Sequence, residues 1–141
     1  GDGRVTSELK ELSEKLNVSG KIVWVGKVPH SKVSLYMNGF DLAIILKNPR
    51  TPGSPIKLFE YMACGVPIVA TNDIDFKHYQ ESTYPIELAD YESPNDIADK
   101  IDIVVSKYCQ DDYNSGMKSN TRSWQDVYDD LNDYLVRKYM S

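Results

Sequence analysis

The sequence is poor in the residues from which metal centres and redox sites are built. It has two cysteines and two histidines among its 141 residues, and none of them shows the spacing of a zinc site, a redox motif or a nucleophile pair. Cys64 falls in an apolar helical pattern, where we expect a small buried thiol, and Cys109 falls at an expected surface position near a helix end. We therefore expect no metal site, and the composition is typical of a reducing, cytoplasmic compartment.

The sequence also lacks long hydrophobic runs, a net positive charge and a glycine-rich fingerprint. No apolar stretch approaches the roughly 20 residues that span a bilayer, and no signal peptide opens the chain. The net charge of −5 argues against nucleic acid as a partner, because affinity for a phosphate backbone needs a basic face. No strand pattern is followed by G-x-G-x-x-G, which disfavours a dinucleotide-binding enzyme.

Helical and strand patterns alternate along the chain. The hydrophobic fraction of 41% and the charged fraction of 26% suit one compact domain, which we predict over residues 1–141. The periodicity predicts helices over about residues 6–16, 31–37, 54–64, 93–108 and 123–139, and strands over 21–26, 41–46, 67–71 and 84–89. This order predicts an α/β fold, a Rossmann-like parallel sheet with helices on both faces. Because the opening Gly-Asp-Gly leads straight into a helix, we expect part of a larger domain that lacks its first strands.

Single residues mark the ends of the predicted helices. Asn17 suits the end of the first helix, Gly65 a left-handed cap after the third, and Ser93 the N-cap of the fourth. In the second helix, the side chains predicted to face inward are those of Val33, Tyr36 and Met37.

The segment S-P-I-K-L-F-E-Y-M-A-C-G-V-P-I-V-A-T, residues 54–71, contains two charges in an otherwise apolar helix. An apolar ridge is predicted to face the core. Its members are Ile56, Leu58, Phe59, Met62 and Ala63. Lys57 and Glu60 lie three residues apart, so both project from the remaining side of the same turn. That side either faces water or faces a ligand that requires both charges.

The loop before this helix is a predicted anion site. In open α/β sheets, ligands bind at the carboxyl ends of the strands, and the loop of residues 47–54 follows such an end. The N–H groups at the start of the next helix, together with the helix dipole, attract anions. The expected N–H donors are those of Gly53, Ser54, Ile56 and Lys57. The expected cations are Lys47, Arg50 and Lys57.

Glu60 requires a different explanation, because a carboxylate repels phosphate. It lies too deep in the helix to be a cap, but it could accept hydrogen bonds from neutral ribose hydroxyls, as an acidic residue does in Rossmann-type sites. A nucleoside diphosphate would account for both charges, with Lys57 on phosphate and Glu60 on ribose. The alternative is a solvated ion pair between the two side chains, worth about 0.2–0.5 kcal/mol.

Residues 54–71 resemble the signature of the C-terminal, nucleotide-sugar-binding domain of GT-B glycosyltransferases, in the large retaining glycosyltransferase group 1 family (family 4). The likeness continues along nearly the whole chain. Its opening G-D-G resembles the end of a family strand, residues 21–46 resemble the next strand, turn, short helix and strand, and residues 123–127 resemble the start of the closing helix. The resemblance implies transfer of a hexose from a nucleoside-diphosphate sugar to an acceptor held by an N-terminal domain outside this sequence.

The same resemblance implies roles for individual residues. Glu60 would hold the ribose hydroxyls, the backbone amides of residues 54–57 would hold the diphosphate, and Val28, within residues 27–29, would border the base. Many members carry a second glutamate eight residues before the ribose-binding one, where it touches the donor sugar; this position is Pro52 here. The donor sugar is therefore not implied. The family's basic pair would precede Gly1, so no catalytic residue is assigned.

The family also implies no resident cofactor and an inactive chain when this half is taken alone. It leaves peripheral association of the complete enzyme with a membrane open. The nucleotide sugar and the enzyme's own N-terminal domain are the partners expected.

Two other patterns in the sequence bear on function. Asp73 and Asp75 form an x-D-x-D pattern similar to the metal-binding aspartates of another glycosyltransferase fold, but they follow a strand, where aspartate is typical of turns. A non-catalytic nucleotide-binding or regulatory α/β domain is the alternative from a different class. A receiver-like domain would need a phosphoacceptor aspartate at a strand end, whereas the strand over residues 41–46 is followed by Lys47 and Asn48.

Overall fold

The computed structural model describes residues 3–50, 56–80 and 84–108. The predicted closing helix at 123–139, and the Trp-led motif within it, lie outside these residues. The chain divides into two compact units, residues 1–35 and 36–141. Within the described ranges, no helix is both long and apolar enough to cross a bilayer.

The first unit begins with helix α1 (Thr6–Lys15). The Thr6 hydroxyl accepts a hydrogen bond from the Gly3 N–H at 3.0 Å, and Asn17 closes the helix in the left-handed region with φ 55°, which asparagine tolerates better than most residues. The predicted end at Asn17 is therefore confirmed. The leucine stripe of this helix is exposed in the structure; it comprises Leu9, Leu12 and Leu16.

The predicted strand at 21–26 is wrong. Residues 22–29 have no regular structure, and the N–H of Ile22 donates to the carbonyl of Ser19 in a 3-10 turn (Ser19–Lys21). A strand forms only where a neighbour satisfies its backbone, and the described sheet contains no strand from this segment. Helix α2 (His30–Met37) follows, one residue longer at its start than predicted; Met37 is buried as expected, whereas Tyr36 is exposed.

The second unit is built on a parallel sheet of three strands in the order β1–β2–β3. These are β1 (Ala43–Ile45), β2 (Ile68–Thr71) and β3 (Ile86–Ala89). Three helices alternate with them: α3 (Ile56–Ala63), α4 (Ile74–Gln80) and α5 (Pro94–Tyr108). The predicted strands at 67–71 and 84–89 and the helix at 93–108 are confirmed. Helix α4 was not predicted, because its aspartates were assigned to a turn.

The central strand β2 is buried along its whole length. Its alternating side chains enter two separate clusters, as the period of two requires. The larger cluster contains Ala43, Leu58, Val66, Ile68, Ala70, Phe76, Ile86 and Leu88. The smaller contains Val69, Ala89 and Val104, with Leu42, Ile97, Ile101 and Tyr108 packed against it. Helices α3 and α4 thus cover one face of the sheet and α5 the other, which confirms the predicted doubly covered arrangement.

Two burial predictions fail. The apolar run at 41–46 was expected to be covered on both faces, but the strand is shorter and Ile44 is 45% exposed, because β1 lies at an edge of the described sheet. In α3, the buried face is centred on the fully buried Leu58 with Tyr61 and Met62 beside it, while Ile56 is 55% exposed. The predicted ridge is therefore rotated, and Ala63 is also exposed.

Hydrogen bonds fix the turn from α3 into β2. Gly65 adopts φ 69°, a left-handed conformation that costs glycine little, and the N–H of Val66 donates to the Tyr61 carbonyl at 3.0 Å. The Tyr84 hydroxyl, at the entrance to β3, donates to the Val66 carbonyl at 2.7 Å and lies 3.3 Å from the Tyr61 carbonyl. One phenol thus satisfies backbone acceptors at the amino edge of the sheet. The predicted glycine cap of α3 is confirmed.

We predict that Tyr84→Phe lowers the free energy of unfolding by about 1–2 kcal/mol, because a partly buried carbonyl loses its donor while the ring stays in place. Denaturant unfolding measures this. Tyr36→Phe, on an exposed tyrosine, is the matched control and should change stability by less than about 0.5 kcal/mol. Equal effects of the two variants would contradict the role assigned to the Tyr84 hydroxyl.

Candidate functional site

The carboxyl ends of three parallel strands lie at one edge of the sheet, where open α/β folds bind ligands. The loop that begins at Leu46 follows β1, Asn72 and Asp73 follow β2, and Asp90 opens the loop after β3. The first loop runs toward the N-terminus of α3. Ile56, Lys57 and Glu60 lie on α3 and Arg50 lies in the loop after β1; their role in binding a ligand stays a prediction.

The Thr71 side chain connects two of these loops. It is 1% exposed, and its hydroxyl accepts a hydrogen bond from the Lys47 N–H at 2.8 Å. The same hydroxyl donates to the Lys47 carbonyl at 3.0 Å, with the Ile45 carbonyl at 3.4 Å. Both backbone groups of Lys47 are therefore held by the last residue of β2, which extends the contact between β1 and β2 past the end of the ladder.

Lys47 also makes an ion pair. Its ammonium lies 3.1 Å from Asp73 Oδ2, with side-chain exposures of 22% for Lys47 and 6% for Asp73, and 5.5 Å from the centre of the Phe76 ring, within the range of a cation–π contact. The sequence placed the Lys47 charge at the phosphate. In the structure that charge is paired with a buried carboxylate, and its contact with phosphate stays a prediction.

Asp73 lies at the junction of β2 and α4. Its carbonyl accepts hydrogen bonds from the N–H groups of Phe76 and Lys77, both at 3.0 Å, so it begins a helix rather than a simple turn. Across the described ranges 3–50, 56–80 and 84–108, no three His, Cys, Asp or Glu residues are grouped so as to hold a metal ion.

Lys57 and Glu60 contact each other on the outer side of α3. Lys57 Nζ lies 2.7 Å from Glu60 Oε2, and the side chains are 58% and 27% exposed. The ion pair that the sequence offered as the alternative is thus present in the structure. It leaves the second oxygen of Glu60 and the remaining lone pairs of the carboxylate with capacity to accept further hydrogen bonds.

The other predicted site residues have different positions. Ile56 is the first residue of α3, so its N–H is among those without a partner inside the helix. Arg50 is exposed, and its N–H donates to Asn48 Oδ1 at 2.9 Å in an Asx-type turn. Gly53 and Ser54 lie outside the described residues. Val28 is half-buried in the first unit, and its place beside a base stays a prediction.

The loop after β3 is acidic and was not predicted as part of the site. The Tyr91 hydroxyl donates to Glu92 Oε1 at 2.7 Å; this hydrogen bond, followed by burial and the charges of Glu92 and Asp90, raises the pKa of Tyr91 above 10.0, while Arg50 opposes the rise. Tyr91 is therefore a neutral phenol at physiological pH. The N–H of Glu92 donates to Asp90 Oδ1 at 3.0 Å. No signal in the sequence links Arg50 to a tyrosine 41 positions later.

A parallel sheet covered on both faces, with cationic and acidic side chains collected at its carboxyl edge, defines a Rossmann-like α/β domain. The chain belongs to the glycosyltransferase group 1 family, whose model, described as "Glycosyl transferases group 1", matches residues 1–124. This match confirms the family suggested by the segment at 54–71.

A comparison with curated proteins gives a relative of stated activity. The chain is 29% identical over 70 residues to an alpha-monoglucosyldiacylglycerol synthase of Streptococcus pneumoniae (strain ATCC BAA-255 / R6), a match that covers 50% of this chain and 15% of that enzyme. No solved structure matches the chain significantly. The family and this relative support glycosyl transfer as the activity class.

We predict that Glu60→Gln changes the free energy of unfolding by no more than about 0.5 kcal/mol, because an exposed i, i+3 ion pair on a helix contributes little. Denaturant unfolding at low and high salt measures it, and the small difference should shrink further in high salt. A loss of several kcal/mol would mean that Glu60 supports the fold itself. It would contradict the interpretation of Glu60 as a ligand-binding residue that the fold does not require.

Proposed function

We propose that this chain is the donor-binding half of a glycosyltransferase that transfers a sugar from a nucleoside diphosphate to an acceptor. The observation that carries the proposal is the family match over residues 1–124, which includes the β1, α3 and β2 elements around Glu60. The acceptor is held by an N-terminal domain outside this sequence, and residues 1–141 form one donor-binding domain with its closing helix at 123–139. Such a site is a cleft that works only when both halves close. This chain by itself is therefore expected to transfer no sugar.

The chemistry proposed for the donor follows from the edge of the sheet. The N–H groups of Gly53, Ser54, Ile56 and Lys57, with the helix dipole, hold the diphosphate, and the side chains of Lys57 and Arg50 add positive charge. Glu60 accepts hydrogen bonds from the ribose hydroxyls. Because Lys57 already contacts Glu60 at 2.7 Å, its ammonium reduces the repulsion between that carboxylate and the phosphates, so the ion pair and the ligand are compatible.

The diphosphate carries the charge that develops as the sugar departs. Helix-end amides and cations oriented toward that charge stabilise it without rearranging, which is the main contribution expected in a site of this kind. Val28 borders the base. Retention of anomeric configuration is proposed from the family, and no catalytic residue is assigned within this chain.

The relative's name supports a hexose as the transferred group, since it is a monoglucosyldiacylglycerol synthase. We propose a hexosyltransferase located in the cytoplasm. An acceptor of the kind in that name, a diacylglycerol, would place the complete enzyme at a membrane surface. The match covers 50% of this chain and 15% of that enzyme, so this acceptor is proposed from the relative's name alone.

In the intact protein, Glu60→Ala should weaken binding of a nucleoside diphosphate by about 2–3 kcal/mol, because hydrogen bonds to a charged acceptor are lost. Titration calorimetry with UDP, GDP and ADP measures the affinity and also identifies the base. Binding equal to that of the unaltered protein would refute the ribose-binding role of Glu60.

Glu87→Ala is the matched control for this measurement. Glu87 also pairs with a lysine, Lys107, at 3.4 Å, with side-chain exposures of 15% and 57%, but it lies on β3 away from α3. The Glu87→Ala variant should bind the nucleotide like the unaltered protein.

An assay for sugar transfer by the intact protein distinguishes an enzyme from the alternative, a non-catalytic nucleotide-binding domain. Transfer is expected if the chain is part of an enzyme, and no transfer is expected from the alternative.

Sugar transfer by the intact protein should survive EDTA. The Asp73 carboxylate, one of the two aspartates that resemble a metal motif, is paired with the Lys47 ammonium at 3.1 Å, and the site proposed here supplies its positive charge from protein groups. The measurement is the transfer rate before and after chelation. Loss of activity with recovery on adding Mn²⁺ would contradict this prediction. It would favour Asp73 and Asp75 as metal ligands.

A further inference from the structure

The carboxyl edge contains one ionic cluster that the proposed function does not use. It consists of Thr71, Lys47 and Asp73, and we call it the edge cluster. Its groups come from the end of β2, the start of the loop after β1 and the start of α4. Two of its members are almost fully buried, with Thr71 1% and Asp73 7% exposed.

The cluster constrains the backbone of the loop that leads to the donor site. The Thr71 hydroxyl bonds both the N–H and the carbonyl of Lys47, at 2.8 and 3.0 Å, so the backbone of this residue cannot rotate without losing both bonds. Within three residues the same loop reaches Arg50, whose N–H donates to Asn48 Oδ1 at 2.9 Å. The segment from the end of β1 to Arg50 is therefore bonded to the end of β2 at Lys47 and folded by a local turn at Asn48 and Arg50.

The Lys47–Asp73 ion pair removes one positive charge from the candidate phosphate site. A buried carboxylate that loses a cationic partner becomes strongly unfavourable, so the pair favours keeping the Lys47 ammonium at 3.1 Å from Asp73 rather than on a ligand. The ring of Phe76, 5.5 Å from the ammonium, favours the same position. Lys47 thus differs from Lys57, whose side chain is 58% exposed and can reach a ligand at small cost.

We propose that Thr71, Lys47 and Asp73 are positioning residues for donor binding: they fix the loop after β1 against the end of β2, and Lys47 stabilises this arrangement instead of contacting phosphate. The inference rests on the proposed function. It assigns to the Lys47–Asp73 pair a role that the charge pattern of the sequence does not indicate.

The first test uses Thr71→Val in the intact protein, with affinity for UDP, GDP and ADP measured by calorimetry well below the melting temperature of each variant. Valine keeps the shape of threonine but cannot bond Lys47. We expect the dissociation constant of the best-bound nucleotide to rise by about tenfold, which corresponds to about 1.4 kcal/mol, because the backbone of Lys47 loses both of its bonds to Thr71. Thr71→Ser, which retains the hydroxyl, should restore most of the affinity.

Tyr84→Phe provides the control for a purely structural effect. It also removes a hydroxyl that bonds backbone carbonyls, but at the amino edge of the same sheet. It should lower the melting temperature without changing nucleotide affinity. If Thr71→Val lowers the melting temperature and leaves the affinity unchanged, the edge cluster only stabilises the fold and the proposal is wrong.

Asp73→Asn distinguishes positioning from direct contact. The substitution releases Lys47 and makes the edge more positive, so a lysine that contacts phosphate would then bind the nucleotide more tightly. The positioning role predicts weaker binding in spite of the added charge. Tighter or unchanged binding would overturn the proposal.

A second variant covers the case in which Asp73→Asn does not fold. Lys47→Gln/Asp73→Asn replaces the ion pair by two neutral amides that can still bond each other, and it should bind the nucleotide within about threefold of the unaltered protein, because about 0.6 kcal/mol corresponds to that factor. A much larger loss would show that the Lys47 charge itself contacts the ligand. If the unaltered protein binds none of the three nucleotides, the proposed function is wrong, and the positioning role, which depends on it, is wrong as well.

Discussion

The burial of β2 on both faces is the constraint on which the rest of the second unit depends. All four of its residues, Ile68–Thr71, are buried, and its backbone pairs with β1 on one side and β3 on the other. A strand in this position cannot shift by one residue without exchanging the side chains of the two core clusters. The core therefore sets the position of the end of β2. The Thr71 hydroxyl at that end bonds both backbone groups of Lys47 and so holds the start of the loop after β1.

The two lysine–carboxylate ion pairs near the carboxyl edge differ in their burial. Lys47 is paired with a carboxylate that is almost fully buried, whereas Lys57 contacts a more exposed one on the outer side of α3. Breaking the first pair would leave a buried charge, and breaking the second would return two groups to water at little cost. Two lysines that look equivalent in the sequence thus differ in their availability to a ligand, because one is paired with a buried carboxylate and the other with a more exposed one.

Predictions that rest on local chemistry agree with the structure. Asn17 and Gly65 end their helices with positive φ, and the Ser93 hydroxyl caps α5 by accepting the Asp96 N–H at 3.2 Å, because each of these residues favours its conformation through its own side chain or lack of one. The family of the chain could also be recognised from residues 54–71. The β-rich run at 21–26 shows the limit of this reasoning, since strand propensity has no effect without a neighbouring strand to bond.

The sequence alone determined three things: the helices and strands of the second unit that have a regular hydrophobic period, the spacing of Lys57 and Glu60 on one helix, and the family. Only the tertiary structure decided which face of α3 is buried, that Lys47 pairs with Asp73, and that Thr71 bonds a residue 24 positions earlier. Periodicity reports which side chains share a face of one element. Contacts between elements depend on the register and order of the strands, which bring distant residues to one edge only after the sheet has formed.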